Sequence, residues 1–148
     1  MRPIQVLLVE DNEADVELTR ETFEHSKLNV ELSVAQDGVE AIDYLTGRKS
    51  AHRAPRPDLI LLDLNLPKVD GRQVLSTIKD DRDLKKIPVV VLTSSDAEAD
   101  VVASYQLGAN CFITKPDDFR KYQDVVHALE GFWFAVATLP KASSELAG

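Results

Sequence analysis

Five short stretches rich in aliphatic residues punctuate the chain, and longer stretches with helical spacing separate them. Ile4 to Val9, Val30 to Ala35, Leu59 to Leu62, Val89 to Leu92 and Cys111 to Thr114 read as strands, and the all-aliphatic Leu59 to Leu62 has the pattern of a strand covered on both faces. Between them, a helix over about 13–26 puts Val16 and Phe23 one heptad apart, flanked by Leu18 and Thr22. Asp37 is a predicted N-cap with Glu40 three residues on; it opens a short helix with Ala41, Ile42 and Leu45 inward and Gly47 as its stop. Gly71 to about Asp81 is a third helix, with Val74, Leu75 and Ile78 facing the core. Ser95 with Glu98 gives a capping-box signal for a fourth helix that Gly108 closes, and a last helix is predicted from near Asp117 to about Ala135.

Strand and helix thus alternate five times with no fixed-period repeat. That order predicts a doubly wound parallel sheet with helices on both faces, because a crossover between neighbouring parallel strands needs a helix. In such a sheet the working crevice lies outside the carboxyl ends of the strands. The residues at those ends are Glu10 and Asp11, Asp63, Thr93 and Lys115. A charge at the end of a buried strand is costly unless something compensates it, so Asp63 draws attention first. Three acids on one rim repel one another unless a cation sits among them, and Mg2+ prefers such oxygen ligands together with a phosphate oxygen. A carboxylate beside Mg2+ can attack a phosphoryl group while Lys115 offers a point charge and Thr93 a hydroxyl, so the chemistry predicted is an aspartyl phosphate.

Composition narrows the class. The 148 residues, 44% hydrophobic and 28% charged, fit one domain over 1–138, with 139–148 expected to be a disordered tail. A net charge of −8 argues against direct nucleic-acid binding. The single Cys111 rules out an internal disulfide, and Val6 to Val9 is too short an apolar run for a signal or membrane segment, so the expected setting is cytoplasmic and away from membranes. Cys111 is expected simply to pack, and His25, His52 and His127 are too scattered for a catalytic pairing.

The motifs Val9-Glu10-Asp11-Asn12, Leu62-Asp63-Leu64-Asn65-Leu66-Pro67 with Asp70-Gly71, Thr93-Ser94 and Thr114-Lys115-Pro116 resemble those of two-component response-regulator receiver domains. The resemblance covers about residues 4–135. It implies a CheY-like, flavodoxin-like fold with strand order 2-1-3-4-5, and phosphorylation of Asp63 by a histidine kinase. It also implies Mg2+ held by Asp11, Asp63 and the backbone carbonyl of Asn65, with Glu10 acting through water. Thr93 is then the switch hydroxyl, Lys115 the phosphoryl contact, Phe112 the ring that turns inward, and Lys115-Pro116 a candidate cis peptide. The wording after Asp63 and the basic connection carrying Arg48, Lys49, Arg53 and Arg56 resemble the small regulators paired with phytochrome-type histidine kinases. Three features depart from the commonest pattern: Glu10 for an Asp, Phe112 for a Tyr, and the C-terminal extension.

The last helix predicts two apolar stripes. Phe119, Tyr122, Val126, Leu129 and Trp133 form one, and Val125, Ala128, Phe132 and Val136 the other. One stripe can cover the sheet, while the other leaves apolar surface that marks a partner site. A homodimer face that includes Tyr105, Val125 and Phe132 is expected. With no output domain following, the leading expectation is a stand-alone switch that signals by contact with a downstream protein or by onward phosphotransfer. The alternative is a Mg2+-dependent phosphatase with an aspartyl-phosphate intermediate, against which stands Asn65 where such enzymes want a second acid. A binding module that never takes phosphate would require a broken acceptor site.

Overall fold

The computed structural model describes residues 3–47 and 55–140. Arg48, Lys49 and Arg53 of the basic connection and residues 141–148 of the expected tail lie outside the described residues. Strands β1 (Ile4–Val9), β2 (Val30–Ala35), β3 (Leu59–Leu62), β4 (Val89–Thr93) and β5 (Cys111–Thr114) alternate with helices α1 (Glu13–Glu24), α2 (Gly38–Thr46), α3 (Gly71–Asp80), α4 (Glu98–Gln106) and α5 (Phe119–Leu129). The sheet is parallel, in the order β2-β1-β3-β4-β5, as the resemblance implied. Its register lines up the carboxyl ends: Val9 pairs with Ala35 and Leu62, Leu62 with Val91, and Thr93 with Thr114.

Successive strand residues point to opposite faces, and two cores follow from that alternation. Leu7, Val9, Ile60, Leu62, Val89 and Val91 meet Ala41 of α2 and Val74, Leu75 and Ile78 of α3. Val6, Leu8, Leu59, Leu61, Val90 and Leu92 meet Val16, Leu18 and Phe23 of α1 and Tyr122, Val126 and Leu129 of α5. Both faces of the central strands are therefore dry. Among the described residues no helix is long and apolar enough to cross a membrane.

Three expectations change in detail. Ser95 does not cap α4: the N-cap is Ala97, without a side-chain bond, because the Ser95 hydroxyl donates instead to Asp100 Oδ2 at 2.5 Å. The last helix starts later, since Asp118 rather than Asp117 accepts the free N–H groups of Arg120 and Lys121, and its α-helical part stops at Leu129, passing into a π-turn over Glu130–Phe134. Phe119, placed in the buried stripe by its spacing, is 68% exposed as the first residue of α5. Arg56, the described member of the basic connection, is paired with Asp83 at 2.5 Å and also donates to the Asp83 carbonyl at 2.9 Å.

Candidate functional site

Three of the residues at the rim are tied by their own backbone N–H to the neighbouring strand. Glu10 N donates to Ala35 O at 2.9 Å, Asp63 N to Val9 O at 3.0 Å, and Lys115 N to Thr93 O at 2.7 Å. The sheet ladder thus continues one step past the last aliphatic residue and fixes where the polar side chains start. Glycine at position 71 lets α3 approach this point. A Cβ there would lie 2.3 Å from Asp63 O and 2.6 Å from Leu64 Cα, and Gly71 N donates to Leu64 O at 2.9 Å. The loop between them carries Lys68 at φ 67°, a left-handed conformation that a non-glycine residue adopts only under constraint.

Asp63 is 7% exposed, and both its carboxylate oxygens have donors. Oδ1 accepts from the Thr93 hydroxyl at 2.8 Å and from Asn65 N at 3.1 Å, while Oδ2 accepts from Lys115 Nζ at 3.2 Å. Lys115 Nζ also bonds Glu10 Oε1, and Asp15 Oδ2 at 2.9 Å. Glu10, 1% exposed, accepts from Asn12 N through its other oxygen at 3.2 Å. Glu10, Asp63, Thr93 and Lys115 are therefore joined in one network.

Burial pushes the Glu10 carboxyl from 4.5 up to about 7, against the hydrogen bond from Lys115 and with the help of the Asp63 charge. For Lys115, burial alone would favour the neutral amine. The bonds to Glu10 and Asp15 and the charges of Glu10 and Asp63 outweigh it and hold the ammonium above the ordinary lysine range. The site is thus a buried cation among acids.

One oxygen each from Glu10, Asp11 and Asp63 lie within 4.8 Å of one another. An all-oxygen donor set with Asp11 open to solvent suits a hard divalent cation that keeps part of its water shell, so these residues fit the ion expected. Lys115-Pro116 is trans, as is every peptide bond among the described residues, in line with the trans preference that X-Pro bonds retain.

Phe112 is half-buried, packs beside the core between the sheet and α3, and has its backbone N–H bonded to Tyr105 Oη at 3.1 Å. Of the residues expected on a dimer face, Tyr105 and Phe132 are 50% and 53% exposed. Val125 is different: it is half-buried and packs against the α1–α5 core, because the way α5 lies on the sheet turns this edge of the second stripe inward. Asp15 joins the site without having been expected there. On the first turn of α1 an acid reads as an ordinary helix-dipole partner, so the sequence carried no signal for it.

A doubly wound five-stranded parallel sheet with this acid, hydroxyl and lysine set at its carboxyl edge defines a receiver domain. The response regulator receiver domain family model matches residues 6–127, and the chain belongs to that family. It is 48% identical over 140 residues to response regulator Rcp1 of Synechocystis sp., covering 95% of each chain. The Mn(2+)-bound form of Rcp1 superposes with a TM-score of 0.91 at 47% identity, over 94% of this chain and 100% of that one. The phosphorylated cyanobacterial phytochrome response regulator RcpA superposes with a TM-score of 0.89 at 47% identity, over 95% and 100%. The protein is thus a signalling receiver related to phytochrome-linked regulators.

Proposed function

We propose that the protein is a phosphoacceptor switch in which Asp63 takes a phosphoryl group from a histidine kinase of phytochrome type in the cytoplasm. The observation that carries this reading is the Asp63 carboxylate itself: buried at a strand end, bonded to Thr93, Asn65 N and Lys115, and within reach of two further acids. An Asp63 oxygen forms a bond to phosphorus as the P–N bond to the kinase's phosphohistidine breaks, and the departing imidazole takes up a proton. Mg2+, held by Asp11, Asp63 and the Asn65 carbonyl, with Glu10 acting through water, would offset charge on the transferring oxygens.

Thr93 and Lys115 already face Asp63 and can turn to the new phosphoryl oxygens. Because Thr93 ends β4 at the loop into α4, its movement changes the α4–β5–α5 surface, where the Phe112 backbone N–H is bonded to the Tyr105 hydroxyl. That surface, where Tyr105 and Phe132 stand exposed, is the proposed self-association face and the surface offered to a downstream protein or phosphotransfer partner. Pairing with a phytochrome-type kinase is supported by the likeness to Rcp1 and RcpA.

Incubation with acetyl phosphate and Mg2+ tests the reading. Stoichiometric labelling that is wholly lost in Asp63→Asn is the expected result. Labelling that survives in the variant would overturn the assignment of Asp63, and repeated turnover of added phosphoesters would point to a phosphatase. Phosphotransfer from a panel of histidine kinases identifies the pathway, the phytochrome-type donor being expected to be fastest. Light scattering reports self-association, and a monomer at high concentration with and without a phosphoryl mimic would remove the homodimer from the proposal.

A further inference from the structure

Lys115 carries three N–H donors, and the three are engaged by three carboxylates, those of Glu10, Asp15 and Asp63. Its side chain is only 10% exposed, so water does not stand in for a lost partner on most sides. Glu10 and Asp63 also belong to the group of acids able to hold a cation, and that group does not include Asp15. The roles of the three acids therefore differ once a cation and a phosphoryl group arrive: two of them turn to other partners, and Asp15 keeps its own.

The backbone of Asp15 is fixed from both sides, which sets where its carboxylate starts. Its N–H donates to the Asn12 side chain at 3.1 Å in the α1 cap, and its carbonyl accepts from the Thr19 hydroxyl at 2.8 Å. That hydroxyl in turn lies 3.3 Å from Tyr122 Oη, where α1 meets α5. A lysine ammonium is a point charge on a flexible four-carbon stem, and its usefulness in a site depends on what restricts it. We infer that Asp15 is a positioning residue for Lys115, anchoring one of its N–H donors so that the ammonium stays aimed at Asp63 and at the phosphoryl group formed there. The inference rests on the phosphoacceptor reading of Asp63 and adds a residue to it.

Two other accounts of the contact make opposite predictions. If Asp15 only braces α1 against the loop after β5, removing it lowers stability and leaves anion binding at Asp63 unmoved. If its negative charge mainly opposes the phosphoryl group, both Asp15→Asn and Asp15→Ala tighten that binding.

The test compares the full chain with Asp15→Ala and Asp15→Asn, well below their unfolding midpoints. Affinity for the phosphoryl mimic beryllofluoride, titrated at saturating Mg2+, is expected to fall about tenfold in Asp15→Ala, the size of one charge-assisted hydrogen bond. Asp15→Asn retains an oxygen acceptor and recovers most of the affinity. In metal-free protein, the Lys115 ammonium resonance is sharp in wild type and Asp15→Asn and is lost to exchange in Asp15→Ala. Affinity in Asp15→Ala within about twofold of wild type, or tighter, would overturn the inference. Should wild type neither take phosphate nor bind the mimic, the phosphoacceptor reading fails, and the ammonium resonance alone decides: unchanged in Asp15→Ala, it removes the anchor as well.

Discussion

At the carboxyl ends of β1, β3 and β5, Glu10, Asp63 and Lys115 are withdrawn from water and held by one another, by Asp15 and Thr93, and by the backbone N–H groups of Asn12 and Asn65. On α4 and beyond the α-helical part of α5, Val102, Tyr105, Phe132 and Val136 stand about half exposed or more, and only the Tyr105 hydroxyl among these side chains holds a neighbouring strand, at Phe112 N. The first region has charges that cannot change singly, because each is the partner of the next. The second has apolar surface that can change without disturbing the core. A receiver needs both kinds of region: a tightly coupled site that registers one added phosphoryl group, and a loosely coupled surface free to meet another protein.

The largest effect is expected from breaking the coupled side. Lys115→Met leaves Glu10, Asp15 and Asp63 facing one another without a cation, and removal of one member of a buried ion cluster costs about 3 kcal/mol. Urea unfolding without metal should show that loss, and saturating Mg2+ should return most of it by placing a cation beside Glu10 and Asp63. A loss unchanged by Mg2+ would mean that the acids do not share one cation site.

The pH dependence of the same region comes next. Burial raises Glu10 in the folded protein from 4.5 to about 7, so between those values folding takes up a proton. The stability associated with that proton is fully present below about 4.5 and is lost as pH rises through about 7. Metal-free protein should therefore unfold more easily at pH 8 than at pH 5.5 on account of Glu10, and Glu10→Gln should flatten that window. Mg2+ needs the charged carboxylate, so its affinity should rise across the same interval.

Much of the coupled side was legible because β1, β3, β4 and β5 are mostly apolar runs with polar residues at their carboxyl ends, and parallel order then brings Glu10, Asp63, Thr93 and Lys115 to one edge. Asp15 was not, since a first-turn acid reads as an ordinary helix-dipole partner until Lys115 is seen to reach across from β5. The other region was less legible. Helical spacing identifies two stripes on α5, but only the packing angle against the sheet decides that Val125 goes in and Phe132 stays out. The π-turn over Glu130–Phe134 shifts the phase of the spacing just where Phe132 falls. Ser95 was misassigned for a similar reason: its hydroxyl had a competing partner, Asp100, that the capping pattern does not reveal.

Between the two regions runs a polar link. Ser95, two residues after Thr93, donates to Asp100 at 2.5 Å, and Arg72 at the start of α3 bonds the same carboxylate at 2.5 Å. Asp100 is held below its ordinary carboxylate range by the Ser95 hydroxyl and then by Arg72. The link is partly open to solvent, so Asp100→Ala should move the unfolding midpoint only slightly. It should speed amide exchange in the loop between Thr93 and α4, and unchanged exchange there would mean that the link does not hold the loop.

The smallest effect on the fold is expected from Phe132→Ser. The ring is 53% exposed and makes an edge-on contact with Trp133 at 5.2 Å between centroids, so little apolar area leaves the core with it. Unfolding free energy of the isolated chain should stay within about 0.5 kcal/mol of wild type. Self-association is the property that should respond: sedimentation equilibrium in the presence of beryllofluoride and Mg2+ should show the dimer constant weakened in Phe132→Ser, with beryllofluoride affinity at Asp63 unaltered. A large loss of stability would instead place Phe132 within the fold and bring the exposed region under the same coupling as the rim. A dimer that persists undiminished would confine the interface to Tyr105 and the rest of α4.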